Sequence, residues 1–154
     1  MTRDESETAE NNETAGDSDP ARIRSIAVTG DDVVTALEAR RRKGVPAVLR
    51  VTPPFAGRMR ARLHLAGSEG SYEGPTDPIH LDPERLVADV PAFPDPDETE
   101  DRLREAGDYS VDAHRDVHAE AVRRWRETAK DAIVEAVTVE TESGQHEIAV
   151  KRLG

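Results

Sequence analysis

Between Ala47 and Leu65 the chain reads AVLRVTPPFAGRMRARLHL, with apolar and basic residues alternating on both sides of Pro53-Pro54-Phe55-Ala56-Gly57. Alternation at a period of two marks a strand with one buried face and one solvated face. A Pro- and Gly-containing tip between two such runs reads as a hairpin. With residues 53–57 as the loop, Thr52 falls opposite Arg58, Arg50 opposite Arg60 and Val48 opposite Arg62. Ala47, Leu49 and Val51 then share a face with Met59, Ala61 and Leu63, while Arg58, Arg60, Arg62 and His64 occupy the other. A register chosen from the loop alone thus sorts both faces, which is what register specification requires.

The hairpin is also where the positive charge is. Residues 39–68 hold eight basic side chains and no acidic one, whereas the other 13 basic residues are spread among all 32 acids of a chain with net charge −11. Like charges opposite one another across a ladder are destabilising, so this face calls for an anion. Three sources are open: the protein's own carboxylates, from the N-terminus or from Asp95 to Asp101 (DPDETED); nucleic acid phosphate; or an acidic protein. Arginine suits phosphate and guanine edges, two-stranded ribbons enter DNA grooves, and an exposed Phe55 at the tip would serve as an apolar wedge. The net negative charge and screening in strong salt work against this reading, leaving close bidentate contacts as its basis. Five aromatic residues in the whole chain are too few for a base-stacking platform.

Three lysines against 18 arginines, with a large acid excess, point to a protein adapted to concentrated salt. A GC-rich genome would explain the arginines but not the acids. There are no cysteines, which excludes disulfides, thiolate nucleophiles and cysteine zinc sites. No apolar leader and no membrane-length run are visible, so a cytoplasmic protein is expected, with no membrane partner.

Along the chain, residues 1–20 carry seven acids and one base and no branched aliphatic or aromatic residue. Such a segment is expected to be a disordered acidic tail, either solubilising or lying on a basic surface in cis. Residues 21–154 are expected to form one domain. Ile23, Ile26 and Val28 suggest a short strand. Thr29-Gly30-Asp31-Asp32 caps a helix through Lys43, closed by Arg40-Arg41-Arg42-Lys43 and Gly44. Loop follows from Glu69 to Asp82 with a short strand near Ile79, then short helices opening at Asp82-Pro83 and at Asp97. The longest helix runs from Ser110 to about Glu135, with Val111, His114, His118, Val122, Trp125 and Ala129 on its inner stripe. Val137–Thr141 and His146–Lys151 alternate about a Ser143-Gly144 turn. This order of elements predicts an α+β fold, with a small antiparallel sheet of two hairpins packed against the long helix and shorter helices.

No Walker sequence, nucleophile elbow or dinucleotide fingerprint occurs, and Thr29 to Asp32 reads as a cap rather than an anion loop. His114 and His118, four apart on one helical face, are the weak metal candidates, lacking a third ligand at an expected spacing. No catalytic residue and no cofactor are expected. The anion-binding candidates are Arg50, Arg58, Arg60, Arg62, Arg41, Arg42, Lys43 and Phe55. At VLRVTPPFAGRMRARLHL, and again at VTVETESGQHEIAVKRLG, the chain resembles small haloarchaeal proteins of unassigned function. The resemblance spans most of residues 23–154 and implies no activity. The expectation is a non-enzymatic binding protein, associated with nucleic acid through its arginine hairpin; the alternative is an interaction or assembly module whose hairpin meets acidic segments or an acidic partner.

Overall fold

The computed structural model describes residues 18–65 and 76–154. The expectations for residues 1–17 and for most of the loop after Ala66 fall outside these. The described chain enters through a 3-10 turn, Pro20–Arg22, whose Ala21 N–H is accepted by the Asp19 side chain. Strand β1 (Ser25–Thr29) leads directly into helix α1 (Gly30–Lys43). Thr29 Oγ1 accepts the Asp32 N–H at 3.1 Å, and Asp31 and Asp32 lie at the positive end of the helix. At the other end Gly44 takes the left-handed conformation, φ 65°, which a side chain would disfavour. Both helix signals read in the sequence therefore operate.

Four short strands follow: β2 (Ala47–Val51), β3 (Arg58–Arg60), β4 (Arg62–Leu65) and β5 (Ile79–Leu81). A single 3-10 turn, Pro83–Leu86, replaces the helix expected after Asp82. Helix α2 (Pro96–Glu105) is capped by Asp95, and helix α3 (Val111–Asp131) by Ser110. Strands β6 (Ala136–Thr141) and β7 (Gly144–Leu153) complete the chain. Thr141 pairs with Gly144, so the turn residues are Glu142 and Ser143, one position earlier than the alternation suggested.

The fold is α+β, but the two hairpins do not share one antiparallel sheet. β3, β1, β7 and β6 form a mixed sheet in that order, and β4, β2 and β5 form a separate antiparallel sheet. β1 lies in the middle of the first sheet, parallel to both β3 and β7. The basic run Arg58 to Leu65 is therefore one segment serving two sheets, switching between them at Ala61.

That switch corrects the expected hairpin. Arg50 pairs with Arg62 and Val48 with His64, two residues away from the register read from the loop. Arg58 and Arg60 leave β2 altogether and pair with Ser25 and Ala27. The physical cause is visible at the switch. Gly57 O accepts the N–H groups of both Arg24 (2.8 Å) and Ser25 (3.0 Å), and Ala61 N–H donates to Ala27 O at 3.0 Å. Phe55 and Ala61 are fully buried, at 1% and 0% exposure. Burying Phe55 draws the tip inward, and the following residues reach β1 rather than folding back on β2.

One apolar cluster underlies both sheets. It joins Ile26 and Val28 of β1, Val33, Val34 and Leu37 of α1, Leu49 and Val51 of β2, Trp125 and Ala129 of α3, and Ile148 and Val150 of β7. Trp125 donates its indole N–H to Pro91 O at 2.8 Å and meets Phe93 edge to face, centroids 4.9 Å apart. The inner stripe expected for α3 holds only in its C-terminal half. Val111, at the start of that stripe, is 71% exposed.

Candidate anion-binding interface

Splitting the basic run between two sheets brings its arginines together instead of dispersing them. Across the three-stranded sheet, Arg62 of β4, Arg50 of β2 and His80 of β5 stand in one row. Arg50 Nη1 lies 3.3 Å from each ring nitrogen of His64, and the His64 and His80 rings are 5.5 Å apart. Arg60, from the other sheet, closes the same concavity. Together Arg50, Thr52, Met59, Arg60, Arg62, Leu63 and His64 line a cleft of about 360 Å³.

A second cleft adjoins it along β3. Arg58 and Arg60 are two residues apart, so they point to the same face of the strand, about 7 Å from one another along it. Arg58 shares its cleft with Arg22, Arg24, Ser25 and Gly57. On the far side, Lys151 of β7 lies in register with Arg60 across Ala27. Two sheets and the entry segment thus contribute to one continuous basic band.

Ion pairing separates most of this band from the three arginines at the end of α1. Arg40 reaches Asp82 at 3.0 Å, Arg41 reaches Glu84 at 3.6 Å and Arg42 reaches Glu38 at 3.7 Å. Arg24, Arg58, Arg60, Arg62 and Lys151 have no such ion pair among the described residues. The Nε of Arg60 is also buried without a hydrogen-bond partner there, an arrangement that costs about 1–3 kcal/mol or more for a charged group.

His80 senses the row it ends. Desolvation of its ring, then the neighbouring His64 and the Arg50 guanidinium, hold its pKa below 6.5, against an opposite pull from Asp77. Burial and the flanking His64 and Arg50 thus disfavour the charged form of this ring.

The sequence-derived candidates divide accordingly. Arg50, Arg58, Arg60 and Arg62 belong to the band. Arg41 and Arg42 are matched by the protein's own carboxylates and line a different cleft, with Phe93, Pro94 and His118. Lys43 sits exposed as the last residue of α1 and lines neither cleft of the band. Phe55 is corrected outright: a side chain 1% exposed in the core cannot act as a wedge. Arg22, Arg24 and His80 were missed by sequence reasoning. A signal for the first two existed, since PARIRSIAVTG (residues 20–30) has two arginines and no acid. His80 offered none, because its place depends on the pairing of β5 with β2.

His114 and His118 have structural work of their own. His114 Nε2–H donates to Pro96 O at 2.8 Å, and His118 Nδ1 lies 3.2 Å from the Thr99 hydroxyl. Their rings, both on α3, lie 5.8 Å apart and 3° from parallel, and the contacts to Pro96 and Thr99 fasten α2 to α3. Among the described residues, no group of three or more His, Cys, Asp or Glu side chains is arranged to hold a metal ion. Among the same residues, no helix is long and apolar enough to cross a membrane.

Fold and surface together define a small α+β domain that presents an arginine band where its two sheets meet. The chain belongs to the DUF8009 family, a domain of unknown function, whose model matches residues 12–154. No curated protein and no solved structure matches it.

Proposed function

We propose that this domain is a non-enzymatic nucleic-acid-binding protein that grips phosphates with the arginine band. The observation that carries the reading is that Arg24, Arg58, Arg60 and Arg62 converge from three segments, with no ion pair among the described residues. Guanidinium groups suit such a role because they bind phosphate bidentately and are weakly hydrated. The setting we propose is a salt-rich, haloarchaeal cytoplasm, supported by the acid excess and the scarcity of lysine. There, short-range contacts outlast long-range attraction, since the screening length falls to about 3 Å at 1 M salt.

The test is duplex-DNA affinity against KCl concentration, read by anisotropy. Four phosphate contacts give a log–log slope of about −3.6, so a fourfold rise in salt weakens binding about 150-fold. The R58Q/R60Q/R62Q variant lowers the magnitude of that slope by nearly three. Unchanged binding by this variant sinks the proposal. A second reading, an acidic protein partner, is favoured by the exposed Leu63 beside Arg62, which gives the band an apolar rim. It requires no DNA binding at any salt and a change in assembly mass that the same triple substitution removes.

A further inference from the structure

The cleft shared by Arg50, Arg60 and Arg62 holds more positive charge than one internal link of a nucleic acid brings to it. We propose that this cleft selects a phosphate monoester, the group at the end of a strand, over the phosphodiesters within it. Nucleic acid as the source of that phosphate rests on the function proposed above; the chemistry of the cleft does not.

Three strands supply the three guanidinium groups. Arg50 and Arg62 stand directly opposite across β2 and β4, a pairing that sets Cβ atoms about 5 Å apart. Arg60 enters from β3, two residues before Arg62, because the chain changes sheets at Ala61 between them. The Nε atoms of Arg50 and Arg60 are both buried. These two side chains are thus packed as far as their guanidinium groups and have little freedom left to lose on binding. An internal phosphodiester offers the cluster a single negative charge and two unesterified oxygens. A monoester offers a charge of about −1.5 to −2 at pH 7 and three acceptor oxygens, one for each guanidinium. The cleft, about 360 Å³ in volume, suits a small ligand such as a phosphate and its sugar. Leu63, 37% exposed beside it, gives the terminal nucleoside an apolar rim. Arg24 and Arg58, in the adjoining cleft, are left for the phosphates that follow. An internal link enters the first cleft too, fills it less completely and binds there more weakly.

The test compares DNA duplexes of one length and sequence, labelled internally and ending in 5′-phosphate, in 3′-phosphate or in hydroxyl groups only. Anisotropy is read at about pH 7.5, where a terminal phosphate is mostly doubly charged. One of the phosphorylated duplexes, chosen by strand polarity, should bind about tenfold more tightly than the hydroxyl-ended one, the worth of one further charge-assisted hydrogen bond. R62Q, at an exposed position, should remove that difference, whereas R58Q should weaken all three duplexes alike. Equal affinity for the three duplexes overturns the proposal, and so does a preference that R62Q leaves in place. Inorganic phosphate and dimethyl phosphate, a diester, test the cleft without nucleic acid. At fixed ionic strength, inorganic phosphate should shift the side-chain Nε–H signals of Arg50, Arg60 and Arg62 saturably, and those of Arg22 and Arg24 far less. Dimethyl phosphate should shift all of them weakly. Equal response to the two anions, or no response, overturns the selection. If no duplex binds while inorganic phosphate does so selectively, the functional proposal fails and the preference of the cleft for a monoester stands.

Discussion

Phe55 separates two uses of the same residues. As a wedge it would add affinity and leave stability untouched; as a core residue it does the reverse. Truncation to alanine is expected to cost about 3–5 kcal/mol in urea unfolding, with the salt slope of DNA binding unchanged in protein that remains folded. Which arginines share a face was legible in the sequence, because a slip of two residues in register returns every side chain to the same side. Arg50 and Arg62 could therefore be placed together while their partners were misassigned. The burial of Phe55 was not legible, since a tip reading Pro-Pro-Phe-Ala-Gly has no periodicity to betray which way the ring turns. His80 gives a prediction of its own at this scale. A phosphate in the row would favour its charged form, so binding takes up protons, and affinity should rise as pH falls from about 7.5 to 5.5. The H80Q variant should flatten that dependence, read in the same titration.

Between elements, the informative joint is Ala61, where one strand ends in one sheet and the next begins in another. Its methyl group is fully buried, so enlarging it to leucine should destabilise by about 1–3 kcal/mol. The change would also disturb amide exchange in β3 and β4 before it disturbs β6. The sequence held the alternation through this point but not the change of partner, because pairing with β1 is a long-range choice. The attachment of α2 to α3 behaves differently. Desolvation, then His114 and Arg42, keep His118 below its usual pKa, with Asp95 opposing. The folded form therefore resists a proton that the unfolded chain accepts below about pH 6.5. Stability contributed here is present above that pH and is lost as pH falls from it through the lower folded-state pKa. Hydrogen exchange in Pro96–Glu105 should accelerate on acidification towards pH 5, and H118Q should remove the acceleration.

For the whole molecule, the mixed sheet sets an order of events. Ser25 pairs with Ala149 and Thr29 with Leu153, so the first strand of the fold lies against the last. β7 is also flanked on both sides, by β1 and β6. A nascent chain stopped before Gly144 would lack an inner strand of that sheet, and Ile26 and Val28 would have no β7 beside them. Contacts this distant in sequence are the slow ones to form. The domain therefore completes its fold only when the end of β7 has left the ribosome, and until then the arginines of β3 border an unfinished sheet.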